Sequence, residues 1–477
     1  VAMLAVLASG ACFVVIEPDV SAQRQQFLFQ DSQARLTLTD QAHTGDILLE
    51  LQPVPLLQGS SISTEGTLPA YIVYTSGTTG NPKGVLISRQ ALSNHASAMV
   101  QHYRFAQHRT SLQSSALSFD LALEEIFASL IGGCQLILPG RQQAMTFAEL
   151  QQLLEHYQIE HLSLSTAYWQ SWVSHLQQHQ QSLPTQLKQI VIGTEQLTGV
   201  AVNTWYNLPQ AQHITLINAY GPSEATISCS LHRVTITDSS LAQVPVGKAI
   251  APNRLYLLDA DLNPVPANVT AQLYIAGENL ASGYLNLPEL TNAKFVIHPV
   301  TGERLYASGD NAYYLPDGNI CFAGRDDQQV KLRGYRIELD GIRQQIFSFG
   351  GIAQCHVTVQ SPELLVAYLV PSANIDLQSL RKYLQPLLPD YMQPQHFVEL
   401  AQLPLTERGK VDVARLPQAD HSAVTEPGQN SDDVIEQALL EIWQQLLPGK
   451  TLRMTQNFFS AGGHSLLALS MLARIKD

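Results

Sequence analysis

Short apolar runs alternate with longer amphipathic stretches from residue 1 to about 324. The short runs predict strands at 12–16, 47–51, 71–74, 135–138, 161–164, 189–192 and 215–218. Between them, apolar side chains recur every three to four positions and predict helices at 90–102, 122–130, 147–156 and 168–178. A further helix is predicted at 2–8, with Gly10 at its end. Such alternation is typical of an α/β domain with largely parallel sheets.

The pattern changes in the later part of the chain. Short strands at 255–258 and 272–275 predict a small β-subdomain, and Asp317-Gly318 predicts a hairpin between two apolar runs. A smaller α/β unit follows, and then a polar segment with prolines and a glycine that predicts a linker. A capped amphipathic helix begins near Ser431, and the last residues predict a second one. The expected units are therefore 1–326, 327–416, the linker 417–430 and 431–477.

Length, charge and cysteine content narrow the class of protein. A chain of 477 residues is too long for one compact core. A net charge of −13 without a basic block argues against a nucleic acid or an anionic membrane as partner. The five cysteines are scattered without CxxC spacing, which indicates buried thiols in a reducing compartment, the cytoplasm, and not a disulfide framework. The apolar start has no basic segment and is shorter than the ~20 residues that a membrane span needs.

The strand predicted at 71–74 continues into a loop of small and hydroxyl-bearing residues that ends in a lysine. Glycines let backbone N–H groups approach oxyanions closely, hydroxyls donate hydrogen bonds, and the lysine adds positive charge. The spacing differs from a Walker A motif, which places four residues between its first glycine and Gly-Lys-Ser/Thr. We therefore predict a phosphate-binding loop that serves a reaction other than P-loop hydrolysis. Its residues are Thr75, Ser76, Gly77, Thr78, Thr79, Gly80 and Lys83.

Four further groups of polar and charged residues are candidates for a functional site. Considered separately, each is also explained by an ordinary turn or by an exposed, charged strand. Asn218-Ala-Tyr-Gly-Pro-Ser-Glu224 contains an aromatic ring that can stack on a purine and a carboxylate of the kind that binds Mg²⁺. Asp310 follows a predicted strand, where a carboxylate suits the hydroxyls of a ribose. A basic cluster lies between Arg325 and Arg336, and a lysine follows a glycine near position 410.

Together and in this order, the five clusters resemble the adenylate-forming superfamily and, more narrowly, the adenylation domains of nonribosomal peptide synthetases. The stretches LASGACFVVIEP (7–18), PVGKAIAPNRLYLLD (245–259) and LYIAGENLASGYL (273–285) resemble further motifs of that family. The segment GGHSL (462–466) resembles the attachment motif of a peptidyl carrier domain. The resemblance implies an α/β large subdomain with mixed, mostly parallel sheets and a small β-subdomain, hinged to a small α+β subdomain, and then the start of a helical carrier domain.

The resemblance also implies a reaction. An amino acid carboxylate attacks the α-phosphate of ATP–Mg²⁺, and the aminoacyl group then passes to a pantetheine thiol. The loop at 75–83 would hold the β- and γ-phosphates, Glu224 the Mg²⁺, Tyr220 the adenine, and Asp310 with Arg325 the ribose. Lys410 would be the catalytic lysine that bridges the substrate carboxylate and the α-phosphate.

The same resemblance implies moving parts and partners. The small subdomain would rotate at Asp327, which withdraws Lys410 and presents the loop around Gly334 for thioester formation. Ser465 would carry 4′-phosphopantetheine, added by a phosphopantetheinyl transferase. The expected partners are the carrier domain in cis and neighbouring synthetase domains such as a condensation domain.

The expected substrate is an α-amino acid, because Asp120 matches the family's aspartate that pairs with the α-ammonium group. A carboxylate in a partly desolvated pocket requires a cationic partner, so Glu124 favours ornithine or N-hydroxylated ornithine, and then lysine. Cysteine is the competing substrate, and a contact between Glu124 and another pocket residue would remove the preference for a basic one. The pocket residues are Leu121, Glu124, Ser163, Val191, Gly193, Ala219, Ile227 and Ser228.

Some positions depart from the family pattern without removing a group assigned to catalysis. Arg89 stands where the family usually has His, and Ser165-Thr166 replaces Pro-Pro. The family's N-terminal segment is missing before Val1, and the carrier domain stops soon after its serine, so this last piece is not expected to bury a core. Two alternatives remain. The first is an acyl-CoA synthetase, against which Asp120 and Ser465 argue, and the second is an inactive scaffold domain, against which the intact catalytic groups argue.

Overall fold

The computed structural model describes residues 1–17, 20–38, 66–77, 80–139, 145–325, 329–332, 334–360, 364–405, 411–418, 434–447, 452, 458 and 465–476. Several predictions lie outside these residues: the strand at 47–51, the linker beyond 418, and the residues Thr78, Thr79, Asp327 and Lys410.

Helices occur at most of the predicted places, and local sequence explains where they begin. Thr146 accepts a hydrogen bond from the backbone of Glu149 at 3.2 Å, and the Glu149 carboxylate accepts one from the backbone of Thr146 at 2.8 Å. The α-helices are α1 (Ala2–Ala8), α2 (Ala22–Ser32), α3 (Arg89–His102), α4 (Asp120–Ile131), α5 (Phe147–His156), α6 (Thr166–Gln178), α7 (Gly199–Tyr206), α8 (Pro288–Lys294), α9 (Leu339–Ser348), α10 (Leu377–Leu384), α11 (Val434–Leu446) and α12 (Ser465–Lys476).

The strands form several separate sheets. They are β1 (Phe13–Val14), β2 (Pro69–Thr75), β3 (Lys83–Ser88), β4 (Thr110–Leu112), β5 (Gln135–Ile137), β6 (His161–Ser165), β7 (Gln189–Gly193), β8 (Thr215–Tyr220), β9 (Ser230–Val234), β10 (Lys248–Ala249), β11 (Arg254–Leu258), β12 (Ala271–Ala276), β13 (Gly283–Tyr284), β14 (Phe295–Ile297), β15 (Arg304–Tyr314), β16 (Ile320–Arg325), β17 (Gln329–Leu332), β18 (Tyr335–Glu338), β19 (Ile352–Gln360), β20 (Leu364–Pro371) and β21 (His396–Glu399).

The largest sheet has seven strands in the order β10-β9-β8-β7-β6-β4-β5. The strands from β5 to β8 pair in parallel, whereas β9 and β10 are antiparallel. Its central strands are buried along nearly their whole length, as is usual for parallel strands covered by helices on both faces. The predicted α/β fold class is confirmed, and its parallel pairing is concentrated in this sheet.

Two mainly antiparallel sheets carry the remaining motifs of the first 325 residues. The sheet β1-β2-β3-β13 presents the predicted phosphate loop between β2 and β3. The sheet β11-β12-β15-β14 also pairs β15 with β16, and Tyr313 lies opposite Cys321, so the hairpin predicted at Asp317-Gly318 is present. All five cysteines are free.

A smaller unit follows, with the hairpin β17-β18, the sheet β19-β20-β21, and the helices α9 and α10. Its core contains Ile337, Ile342 and Ile346 together with leucines of β20 and α10. Among the described helices, none has the length and apolar character needed to cross a membrane.

The expectation that the C-terminal piece buries no core is wrong. Leu447, Leu452 and Phe458 are buried where α11 and α12 meet. The Trp443 ring lies 5.1 Å from the Phe458 ring and its Nε1 donates to Met471 Sδ at 3.0 Å. The two amphipathic helices and these three residues between them therefore form a small apolar cluster. Helix α12 also contacts α5.

Candidate active site

A cavity of about 300 Å³ lies between the large sheets and the smaller unit. The end of β2, the start of α4, the turn after β8, the β15-β16 pair and the turn between β17 and β18 all contribute to its walls. Its lining contains eight of the residues named in the sequence analysis: Thr75, Ser76, Asp120, Tyr220, Asp310, Arg325, Gly334 and Arg336.

Asp310 and its neighbours form one end of this cavity. Asp310 lies opposite Arg325 in the β15-β16 register, and the two side chains form an ion pair. The Tyr220 hydroxyl donates to the other Asp310 oxygen, and Lys331 Nζ lies 5.1 Å from the Tyr220 ring centroid. A carboxylate oxygen can accept more than one hydrogen bond, so Asp310 retains capacity for the hydroxyls of a ribose.

Glu224 lies in a short 3₁₀ turn after β8 and is fully buried. Its Oε1 accepts hydrogen bonds from Lys83 Nζ at 3.3 Å and from the Tyr284 hydroxyl at 2.7 Å. Its Oε2 accepts one from Arg336 Nη1 at 2.8 Å. Burial by itself raises the pKa of the Glu224 carboxyl, but Arg336 and Lys83 hold it well below its usual range.

The donor chemistry at Glu224 fits a magnesium ion that arrives with a nucleotide. Mg²⁺ prefers oxygen ligands and is usually held by one or two carboxylates together with substrate phosphates. No group of three or more acidic, histidine or cysteine side chains suited to a metal occurs among the described residues. A single buried carboxylate beside the phosphate loop therefore suits a nucleotide-bound ion, although both of its oxygens already have cationic partners.

Asp120 is the first residue of α4 and faces the cavity. Its Oδ2 is buried and has no hydrogen-bond partner among the described residues. Burial raises the pKa of the Asp120 carboxyl because desolvation disfavours its charged form. The Thr75 and Thr194 hydroxyls are also buried without a partner in the described structure, and both residues line the cavity. These polar atoms suit a ligand with a cationic group and hydrogen-bonding oxygens.

The predicted side-chain pocket lies outside the cavity lining. Except for the half-buried Leu121, its residues are all buried, and Ser163 is opposite Val191 in the parallel register of β6 and β7. Glu124 Oε2 lies 2.8 Å from His95 Nε2, and Glu124 Oε1 accepts from the Tyr103 hydroxyl at 2.7 Å. Burial raises the pKa of Glu124, but bonds from His95, Tyr103 and Ser228 bring it below its usual value.

This geometry bears on the argument for a basic substrate. The sequence leaves open whether a substrate cation or a neighbouring side chain meets Glu124, and in the structure α3 places His95 beside it and the following turn supplies Tyr103. Neither residue belongs to a motif singled out from the sequence. Only the packing of α3 against α4 brings them to Glu124, so no sequence signal identified them.

The turn between β17 and β18 also enters the cavity, and the sequence did not predict its contacts. Gly334 N donates to Glu195 Oε1 at 2.5 Å, and Ser76 Oγ donates to the Arg336 carbonyl at 2.7 Å. The Tyr335 ring lies 5.2 Å from Phe119 and stacks on Tyr391 at 3.9 Å. The only sequence feature that pointed to this turn was the basic cluster between 325 and 336, and a solvated pair of strands explained that cluster equally well.

For the remaining predicted site residues, the structure describes few contacts or none. Gly77 and Gly80 lie on the phosphate loop beside α9. Thr78, Thr79, Asp327 and Lys410 lie outside the described residues. Ser465 is the first residue of α12, and its backbone alone is described.

Residues 1–285 match the family model "AMP-binding enzyme". The whole chain is 34% identical to part of a mycosubtilin synthase component of Bacillus subtilis and 34% identical to part of tyrocidine synthase 2 of Brevibacillus parabrevis. It spans 18% of the length of the first relative and 14% of the length of the second.

A solved structure is similar over nearly the whole chain. It is holo-PA1221, "an NRPS protein containing adenylation and PCP domains bound to vinylsulfonamide inhibitor", with 29% identity, a TM-score of 0.80, and coverage of 99% of this chain and 80% of that one. The chain therefore belongs to the AMP-binding enzyme family, as an adenylate-forming ligase related over its full length to nonribosomal peptide synthetases.

Proposed function

We propose that this chain activates an α-amino acid as aminoacyl-AMP, using ATP and Mg²⁺, and transfers it to a phosphopantetheine thiol on Ser465. The observation that carries the proposal is the half-buried Asp120, whose enclosed Oδ2 has no partner among the described residues and which shares a cavity with Asp310 and Arg325. An α-ammonium group is the cation that such a carboxylate suits, because an unpaired buried charge is costly.

The other roles follow from the resemblance and from the positions of the described groups. Asp310 and Arg325 would bind the ribose, Tyr220 the adenine, the loop from Thr75 to Lys83 the phosphates, and Glu224 the metal. Lys410 would stabilise the charge that develops at the α-phosphate, and Asp327 would serve as the hinge. These assignments remain proposals for this chain.

We propose a basic amino acid of the ornithine or lysine type as the first substrate candidate, with Glu124 shared between His95 and the substrate ammonium. A carboxylate offers about four lone-pair sites, so the bonds from His95, Tyr103 and Ser228 leave one site for a further donor. Cysteine is the second candidate, because a Glu124 that already has partners does not require a cationic ligand. The small residues Gly193, Ala219 and Ser228 suit a short side chain.

The carrier domain in cis is the proposed acceptor, and two observations support it. The related holo-PA1221 protein is described as containing adenylation and PCP domains. In this chain, α12 begins at Ser465 and contacts α5 of the large unit. A phosphopantetheinyl transferase and neighbouring condensation domains are the further partners of the proposal.

ATP–pyrophosphate exchange with a panel of amino acids tests the proposed function. Exchange should require an α-amino acid, and Asp120→Asn should lower it roughly a hundredfold or more, since breaking a buried charge pair costs about 3–5 kcal/mol. Lys410→Ala should also lose most of the exchange. Asp340→Asn is the matched control, because Asp340 pairs with Arg343 within α9, and it should retain the wild-type rate.

The panel also separates the alternatives. Exchange with fatty or aryl acids but no amino acid would indicate an acyl-CoA synthetase, and no exchange with any acid would indicate a scaffold domain. Exchange with cysteine but neither ornithine nor lysine would reject the first substrate candidate.

A further inference from the structure

The turn between β17 and β18 is held in the cavity at three points on the large unit. Glu195 accepts from the Gly334 backbone, Ser76 donates to the Arg336 backbone carbonyl, and Glu224 accepts from the Arg336 side chain at 2.8 Å. Gly334 has a φ of +84°, and a Cβ at this position would lie 3.3 Å from Ser165. We refer to these three contacts as the docked arrangement.

The docked arrangement lies against two elements that are assigned to the nucleotide, the phosphate loop and Glu224. α9 lies directly on the phosphate loop, because a Cβ on Gly341 would lie 2.5 Å from the Gly77 carbonyl oxygen. Arg336 at the same time engages Glu224 Oε2, the oxygen that Lys83 and Tyr284 leave available.

Arg336 and Lys83 differ in where they come from. Lys83 is the first residue of β3, which belongs to the same unit as Glu224. Arg336 lies on β18, beyond the proposed hinge at Asp327, so it can leave Glu224 when the smaller unit moves. A second cation on the same oxygen would be repelled by the guanidinium, since like charges at short range are unfavourable.

We propose that Arg336 and the nucleotide-bound Mg²⁺ compete for Glu224, so that the turn docks only after the metal has left. Arg336 is then a positioning residue that reports whether the metal is present. This inference rests on the proposed function, because the metal arrives with ATP. In this proposal, the Arg336 guanidinium couples metal binding at Glu224 to the position of the smaller unit.

Hydrogen–deuterium exchange of the full chain tests this proposal through the amides of 329–338. With the non-hydrolysable analogue α,β-methylene-ATP and EDTA, these amides should be protected, because Gly334 donates to Glu195. Addition of Mg²⁺ should increase their exchange rate on the order of tenfold, a typical size for coupling between two ligands. In Arg336→Gln, exchange should be fast already in EDTA and should change little with Mg²⁺.

Metal affinity provides the second measurement. Free Mn²⁺, counted by electron paramagnetic resonance in the presence of the same analogue, should show binding to Arg336→Gln on the order of tenfold tighter than to the wild type. Arg336→Lys keeps the charge and should stay near the wild-type affinity. Arg343→Gln removes an exposed arginine of α9, paired with Asp340 at 3.0 Å, and should behave as the wild type in both measurements.

The outcomes distinguish the two proposals. Equal Mn²⁺ affinity in the wild type and Arg336→Gln, with exchange of 329–338 unaffected by Mg²⁺, would overturn the competition while leaving the proposed function intact. No Mn²⁺ binding to any variant in the presence of the analogue would overturn the proposed function and, with it, this inference.

Discussion

Two regions of the molecule bury carboxylates in opposite ways. Around Glu224, Lys83 and Arg336 supply two cations, and they hold the pKa of the carboxyl well below its usual range despite burial. In the first half of α4, Glu125 is buried and Asp120 is half-buried with its Oδ2 enclosed, and neither carboxylate forms a salt bridge with a lysine or arginine among the described residues. Burial raises the pKa of Asp120, and it raises the pKa of Glu125 to about 7.

This difference shows that the neighbours of a buried carboxylate decide whether it is ionised, protonated or available to a ligand. Glu224 is ionised in the folded protein because the fold supplies its counter-charges, and those must rearrange if a metal binds. Glu125 is instead met by the backbone and hydroxyl groups of Ser114 and Ser115, a neutral environment that tolerates a proton. Asp120 has an oxygen with no partner in the described structure, which is the arrangement expected of a group that receives its partner from a ligand.

The largest effect on stability is expected from Glu224→Gln. The amide keeps the shape of the side chain but leaves Lys83 and Arg336 largely buried without a counter-charge, which should cost about 3–5 kcal/mol of the free energy of unfolding. Urea denaturation followed by tryptophan fluorescence measures this loss. The control Glu303→Gln breaks the exposed pair with Arg254 and should cost at most about 1 kcal/mol. Similar losses in the two variants would show that the Glu224 cluster is not desolvated.

The next effect depends on pH and belongs to Glu125. Its pKa rises from 4.5 to about 7 on folding, so between these values the folded protein binds a proton that the unfolded chain releases. Stability should therefore fall as pH rises through this window, by up to about 3 kcal/mol. Glu125→Gln should remove that slope when unfolding free energies are compared at pH 5 and pH 7.5.

The pH-dependent contributions of other titratable groups cancel when the stability of Glu125→Gln is compared with that of the wild type. His161, for example, has its pKa lowered to about 3, chiefly by burial, and contributes stability that is lost as pH falls below its ordinary value. Because His161 is present in both proteins, its contribution does not affect their difference. Parallel pH profiles for the two proteins would mean that Glu125 titrates normally.

The smallest effect on stability is expected from Asp120→Asn. Because Oδ2 has no partner in the described structure, a neutral side chain of the same shape should change the free energy of unfolding by less than about 1 kcal/mol, or should stabilise the protein. Thermal unfolding without nucleotide measures this change in stability. The same variant should nevertheless lose most of its ATP–pyrophosphate exchange. A loss as large as that of Glu224→Gln would mean that Asp120 already has a cationic partner.

Periodicity predicted local structure well where a segment was long and regular. The helix at 147–156 has the predicted bounds, because its capping residues and apolar spacing are both local signals. Strand ends differ from the predicted ones by up to two residues, as in β1, where 12–16 was predicted and only Phe13–Val14 pairs with β2. The length of a strand depends on its partner, and the partner is distant in sequence.

Candidate site residues were found where they belong to motifs and missed where they do not. Asp120, Tyr220, Asp310 and Arg325 line one cavity. His95 was missed because its contact with Glu124 depends on how α3 packs against α4.

The order of strands and helices, the phosphate loop and the family follow from the amino-acid sequence alone, because they depend on residue types at short, fixed spacings. The charge state and the partners of the buried carboxylates depend instead on three-dimensional packing. The sequence shows only that four of these residues, Asp120, Glu124, Glu125 and Glu224, carry a carboxylate. In the folded protein their pKa values shift in different directions. The reason is that desolvation and Coulomb energies depend on distances of a few ångströms between groups far apart in the chain, such as Arg336 and Glu224.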